Sequence, residues 1–292
     1  MIDLHIHTTY SDGADSLINV LKKAEKNKLE YISITDHDNC NAYKELNKID
    51  LSTYYTGKII PGIEIKCGYK GRLIEVLGYK INIDKMLSCT EEFYKDKTKE
   101  ILQQKYFDLL YDKCLKMNLI LSPKENIEFD SSKDWASAKI YNEIKSHIEN
   151  QELVPEDFWE NFNNFSKKYC GNPEHILYID KTVDYPTLQE AIDAIKQADG
   201  LVFLPHLFIH KWAENIYELI DDILENYDID GIECYHSEFS EENIKYLIDL
   251  CKDKKYYMSG GSDYHGINKK NIEMAVGKGN LKIEKDIIKN WI

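Results

Sequence analysis

Asp3-Leu4-His5-Ile6-His7-Thr8-Thr9-Tyr10-Ser11-Asp12-Gly13 opens a chain of 292 residues, and this stretch decides how the rest is read. Apolar and polar side chains alternate at its start. Residues 2–6 are therefore expected as a strand, with His5 and His7 on one face and Leu4 and Ile6 on the other. Two imidazoles in register on one face can chelate a divalent cation. A His-x-His pair alone is weak evidence, because a single strand histidine is more often structural. Here Ser11-Asp12-Gly13 follows, a turn that presents a carboxylate beside the pair.

Working outward, further short β-rich runs are expected as strands at 31–35, 58–65, 72–79, 200–204, 231–235 and 256–259. Apolar stripes at three- and four-residue spacing lie between them: Leu17, Leu21 and Ala24; Leu188, Ile192 and Ile195; Ile216, Ile220 and Ile223; Ile244, Leu247 and Cys251. Thr187 and Glu190 form a candidate capping box. This alternation predicts an α/β architecture with parallel strands. Residues 89–180 break the rhythm. Leu102, Tyr106, Leu109, Leu110, Cys114 and Met117 suggest one long helix, and 139–148 and 156–165 suggest more. We read residues 1–88 and 181–292 as a barrel domain, and 89–180 as a helical insertion covering its mouth.

His5, His7, His37, His206 and His265 each fall at or just after the C-terminal end of an expected strand. Loops after the strands build the mouth of α/β barrels, where catalytic groups gather. One such histidine is unremarked; five at equivalent positions need a common cause. Thr35-Asp36-His37-Asp38 packs ionisable groups together, Glu64 is an acid inside an apolar strand, and Gly261-Ser262-Asp263-Tyr264-His265-Gly266 ends the last strand. Taken singly, Glu64 could as well face solvent. Histidines and carboxylates without a thiolate suit Zn, Mn or Fe. Their number exceeds what one ion needs, so two or three divalent ions are expected. Clustered cations acidify a bridging water and neutralise phosphate oxygens, which is the chemistry of metal-assisted phosphoester hydrolysis.

Composition narrows the class. The chain is 43% hydrophobic and 30% charged, and no apolar run approaches the length of a membrane span. Its start lacks the basic and long apolar regions of a secretory signal. The seven cysteines are scattered without a CxxC, which suits a reducing cytoplasm rather than a disulfide framework. Asp and Glu total 51 against 37 Lys and Arg, a net charge of −14 that argues against a large nucleic-acid surface. A small anionic ester held locally stays compatible. Arg72 is the only arginine, and its place at the start of an expected strand puts it far from the mouth.

These motifs resemble the PHP family, named for polymerase and histidinol phosphatase domains. Residues 3–13 resemble its first motif, Ile34-Thr35-Asp36-His37-Asp38 its second, Pro61-Gly62-Ile63-Glu64-Ile65 its characteristic Glu, and residues 261–266 its closing motif. The branch that fits is the stand-alone bacterial phosphoesterases. The resemblance implies a distorted (β/α)7 TIM-like barrel with an inserted helical subdomain. It also implies a metal-bridging hydroxide attacking phosphorus. His5, His7, Glu64 and Asp263 would hold a first ion. Glu64 would bridge to a second ion shared with position 75 and His206. Asp12, His37 and His265 would hold a third, with Asp36 orienting ligands and Asp38 capping or exposed.

Two departures stand out. Position 75 usually carries histidine in this branch and here is Glu75, a harder and more negative ligand. The Arg-Pro-His-like start of an insertion helix is replaced by Ser131-Ser132-Lys133-Asp134-Trp135-Ala136-Ser137-Ala138-Lys139. Lys133 and Lys139 are the candidate phosphate contacts there, as point charges rather than a fork. His236, just past a strand, is a candidate substrate contact or general acid, and Tyr264 a candidate cleft residue. His210 is a loop histidine near His206, while His147 and His175 read as bland. The expected partner is a small phosphomonoester or nucleotide-like molecule. Two alternatives stand beside it: an exonuclease using a Lys- and aromatic-rich track such as residues 161–169, and a metal-stabilised, non-catalytic binding module. Oligomeric state is not encoded legibly.

Overall fold

The computed structural model describes residues 1–292. β1 (Ile2–Ile6) is buried along its whole length. Ile2 and Leu4 enter a hydrophobic cluster with Leu77, Tyr79, Phe203 and Trp291. β1 pairs in parallel with β2 (Tyr31–Ile34), and β2 in parallel with β3 (Lys58–Ile59). Parallel neighbours need crossovers. The first is α1 (Leu17–Lys26), capped by the Ser16 side chain accepting from the Asn19 N–H, with Leu17, Val20, Leu21 and Ala24 buried. The second contains α2 (Asn41–Leu46).

The expected strand at 58–65 is two strands. Pro61 has no N–H to give to a ladder, and the chain changes sheets there. β4 (Gly62–Tyr69) opens a second sheet of five strands in the order β4-β5-β6-β7-β8, with β5 (Arg72–Tyr79), β6 (Leu201–Leu204), β7 (Gly231–Tyr235) and β8 (Tyr257–Gly260). β5 is antiparallel to both neighbours, while β6, β7 and β8 pair in parallel. The expectation of parallel strands therefore fails at β5. Only Lys70 and Gly71 separate β4 from β5, both at positive φ (47° and 73°). That is a two-residue hairpin, far too short for a parallel crossover. The hairpin also overturns the expected position of Arg72. It pairs with Tyr69, at the end of the sheet where β4, β6 and β7 finish.

Two isolated bridges join the sheets, Ile6 with Tyr264 and His37 with Glu64. Ladder pairing does not otherwise link the two sheets. The chain divides into two compact units: Met1–Glu92 with Tyr185–Ile292, and Phe93–Asp184. α3 (Ile83–Tyr94) leads out of the first. The second is helical, with α4 (Lys99–Lys116), α5 (Ala136–Ser146), α6 (Glu156–Glu160) and α7 (Phe162–Asn164). It has its own core, including Phe107, Leu110, Cys114, Ile140, Ile144, Phe158 and Phe165. The helix expected at 156–165 is interrupted. Asn161 adopts extended backbone angles and its side chain accepts from the Asn164 N–H, restarting the helix as α7. Back in the first unit come α8 (Leu188–Gln197), α9 (Ile216–Asn226) and α10 (Glu241–Lys254). The capping box at α8 is present as read, with Thr187 and Glu190 each serving the other's backbone N–H.

The segment after β8 lies tightly against β1. A Cβ on Gly261 would come within 2.4 Å of the His5 backbone nitrogen. Gly261→Ala is expected to lower stability by about 1–3 kcal/mol, the usual cost of forcing atoms into a packed contact. A thermal melt equal to that of the unaltered chain would show that the contact has slack.

Candidate metal centre

The histidine-rich strand ends converge at one point. Glu64 Oε2 lies 3.2 Å from His5 Nε2, 3.2 Å from His7 Nε2 and 3.2 Å from His37 Nδ1. Its other oxygen, Oε1, lies 2.7 Å from His206 Nε2. Asp263 Oδ1 closes the group at 3.4 Å from His7 Nε2 and 3.7 Å from His5 Nε2. On one flank, Asp12 Oδ1 is 3.1 Å from His265 Nε2, and Asp12 Oδ2 is 3.7 Å from His37 Nε2. On the other, Glu75 Oε2 is 3.6 Å from His206 Nε2. Every residue expected as a ligand is thus brought into one cluster. Glu64 owes its place to the alternation of β4, which points it to the same face as Lys66 and, across the ladder, Glu75.

The ring nitrogens are set to bind cations. His5 Nδ1–H donates to Glu233 Oε1 at 2.9 Å, leaving the Nε2 lone pair aimed at Glu64. His265 Nδ1–H donates to the Asp263 carbonyl at 2.9 Å, leaving its Nε2 lone pair facing Asp12. Fixing the tautomer through the outer nitrogen is how ligating histidines are held. His5 Nε2, His7 Nε2 and His37 Nδ1 are buried and make no hydrogen bond. Buried polar atoms without partners are costly. Lone pairs facing carboxylate oxygens repel unless a proton or a cation sits between them. Three groups have ligand atoms close enough to share an ion: His5, His7 and Glu64; His7, Asp12, His37 and His265; and His37, Glu64 and Glu75. The residues present therefore fit divalent cations.

Burial and the facing carboxylates together set how strongly these imidazoles hold protons. Burial disfavours charge on His7, but the Asp263 and Glu64 carboxylates facing its Nε2 outweigh it and hold this imidazole up at about 9. His5 is likewise raised: burial opposes its charge, and Glu64, Glu233 and Asp263 overcome that. His37 is pushed down to about 3, mainly by burial, against the pull of Glu64. Burial, and then the charge of Glu64, raises the Glu75 carboxyl.

A family model for the PHP domain matches residues 3–259. The chain belongs to the PHP family. A phosphoribosyl 1,2-cyclic phosphate 1,2-diphosphodiesterase from Eggerthella lenta is 22% identical, over 90% of this chain and 94% of its own length. A 5'-3' exoribonuclease from Haemophilus influenzae is 24% identical, over 90% of this chain and 89% of its own. Among solved structures, a proposed metal-dependent phosphoesterase from Bifidobacterium adolescentis superposes with a TM-score of 0.64 at 18% identity, covering 99% of this chain and 94% of that one. At that identity the likeness shows the fold alone.

Several residues of this PHP site escaped the sequence reading. Glu233 is fully buried in β7, holds His5 through Oε1 and accepts the His206 backbone N–H through Oε2 at 2.8 Å. Its signal was the one used for Glu64, an acid inside an apolar strand. Asp3 accepts from the Ser262 N–H, the Ser262 hydroxyl and the Ala275 N–H, which clasps the closing motif to β1. Two others did not escape it: Asp36, expected to orient ligands, accepts from the Thr8 N–H, the Thr8 hydroxyl and the Ser11 hydroxyl, so it braces the turn that presents Asp12, and Asp38, expected as capping or exposed, caps the Lys66 N–H at 2.9 Å. Lys269 Nζ sits 2.5 Å from Asp263 Oδ2, and Lys66 Nζ 3.7 Å from Glu75 Oε1. Both ammonium groups flank the cluster.

The residues expected on the substrate side divide. His236 is buried beside Asp263, its Nε2 3.3 Å from Oδ2. Its Nδ1 accepts the Glu238 N–H, so Nε2 carries the proton toward Asp263. Tyr264 does not line a cleft: it is buried, and its hydroxyl is taken by Asp15 and Lys23. Lys133 and Lys139 belong to the second unit, and Lys133 is an exposed side chain paired with Asp130 at 2.6 Å.

Two outcomes follow from this geometry. Glu233→Gln should weaken metal retention about 10–100-fold, the usual effect of losing a partner that orients a ligand; metal content after dialysis against a weak chelator measures it. Metal loading must displace the proton that His7 holds up to about 9, so affinity should rise with pH up to that value. Calorimetric titration in buffers of different ionisation heat should show proton release at neutral pH, and none would contradict the assignment.

Proposed function

We propose that this PHP protein hydrolyses phosphate esters at the His/carboxylate cluster, with two or three divalent ions (Mn, Zn or Fe) as cofactors. The observation that carries the reading is Glu64: one carboxylate oxygen faces three buried imidazole nitrogens at 3.2 Å each. A first ion would be held by His5, His7, Glu64 and Asp263, a second by Glu64, Glu75 and His206, and a third by Asp12, His37 and His265. Bound there, the ions would neutralise phosphoryl oxygens and supply a nucleophilic water at neutral pH. The chain's own groups do the remaining work. Glu233 fixes the tautomer of His5, Asp36 braces the Asp12 turn, and His236 offers a proton at Nε2 beside Asp263. Lys66 and Lys269 add positive charge at the edge, where a phosphate dianion must arrive.

The scaffold we infer is a distorted (β/α)7-type barrel, a reading supported by the isolated bridges Ile6–Tyr264 and His37–Glu64 between the two sheets. The substrate class is a phosphate ester; a small phosphomonoester is the leading case. A second reading, trimming of nucleic-acid 5′ ends, is favoured by the relative from Haemophilus influenzae, whose match spans nearly its whole length. A non-catalytic module fits poorly with so complete a donor set. No helix is long and apolar enough to cross a membrane, and seven free thiols suit a reducing cytoplasm.

Stripped of metal and assayed for phosphate release over a panel of phosphate esters and 5′-phosphorylated oligonucleotides, the chain should be inert. Mn²⁺, Zn²⁺ or Fe²⁺ should restore turnover, and His7→Ala should abolish it. Full activity of His7→Ala, or no metal supporting turnover, would sink the reading.

A further inference from the structure

The loop after β6 carries a row of aromatic rings that the metal centre does not use. His210 stands with its ring centroid 6.2 Å from that of His206 and 5.7 Å from that of Trp212. The Arg72 guanidinium lies 5.9 Å from the Trp212 ring. The row therefore runs from a proposed metal ligand outward to the single arginine of the chain. Arg72 lies three residues from Glu75 along β5, a rise of roughly 10 Å, about the reach of one nucleoside from its 5′-phosphate. His210 and Trp212 are only partly buried. Neither the His210 ring nitrogens nor the Trp212 indole N–H donates to or accepts from any protein group. Rings packed only for stability sit in the core, as Phe239 does at 4% exposure beside His236. Half-open rings with spare hydrogen-bonding atoms and a stacked cation are instead the parts of a platform for a planar heteroaromatic group.

We propose that His210, Trp212 and Arg72 form a base-stacking subsite, so that the phosphate ester hydrolysed here carries a nucleobase. The inference rests on the phosphoesterase reading and deepens it. It also separates the chemistry of the two kinds of relative, since a phosphoribosyl ester without a base would leave the row idle. Mononucleotides and the 5′ end of an oligonucleotide share the recognised group.

The test compares adenosine 5′-phosphate, a short 5′-phosphorylated oligonucleotide and ribose 5-phosphate on the metal-loaded protein. Trp212→Leu should raise KM for the two base-bearing esters by about 5- to 100-fold, the range that stacking supports. It should leave kcat and the ribose 5-phosphate kinetics unchanged, and Trp212→Phe should retain most of the affinity. A gain in KM for adenosine 5′-phosphate alone, or for the oligonucleotide alone, would identify the source of the base. A readout without turnover is the quench of Trp212 fluorescence, taken as the difference between the unaltered chain and Trp212→Phe. Adenosine 5′-phosphate should produce it and ribose 5-phosphate should not. Equal behaviour of the esters in both measurements overturns the subsite and leaves the phosphoesterase reading standing. Absence of turnover with a base-specific quench strikes the hydrolytic reading instead.

Discussion

Glu64 is the constraint around which the first unit is arranged. One buried carboxylate receives three imidazole nitrogens at one oxygen and a fourth at the other. Such a concentration of acceptors in a buried setting is tolerable only with positive charge among them, whether protons or metal ions. The groups around it serve that demand. Glu233 turns His5, the Asp263 carbonyl turns His265, and Asp36 braces the turn of Asp12. None of the three does so by touching Glu64. Stability and function therefore pull on the same residues, since the cations that would satisfy the core are those that would do the chemistry.

What could be read in the sequence was whatever is local. Strand alternation placed His5 and His7 together, strand ends placed His37, His206 and His265, and the capping box at Thr187 announced α8. What could not be read depends on partners far along the chain. Glu233 gains its meaning from His5, 228 residues away, and Asp3 from Ser262, 259 residues away. The antiparallel β5 escaped because the hairpin signal is only Lys70-Gly71, and with it went the position of Arg72. Tyr264 was misjudged because a tyrosine beside a ligand motif has no visible partner until Asp15 and Lys23 are brought up to it.

The net charge of −14 takes on a different weight in this light. Asp12, Glu64, Glu75 and Asp263 belong to the cluster, and bound cations reverse the sign they present. Lys66 and Lys269 stand at its rim. An acidic protein can thus offer an anion a locally positive pocket while repelling long polyanions elsewhere, which selects for small esters or chain ends.

The clasp of Asp3 on the segment after β8 has a consequence for how the protein comes into being. The first strand emerges from the ribosome with two imidazoles in place, but Asp263, His265 and the Ser262 donors are made some 260 residues later. Until they arrive, Asp3 lacks its donors, and His5 and His7 face Glu64 without Asp263 to close the group. Contacts of such sequence separation form late, because the loop entropy must be lost before they repay it. Maturation is therefore ordered: metal can be held at full affinity only after residues 261–265 have been made and have docked against β1.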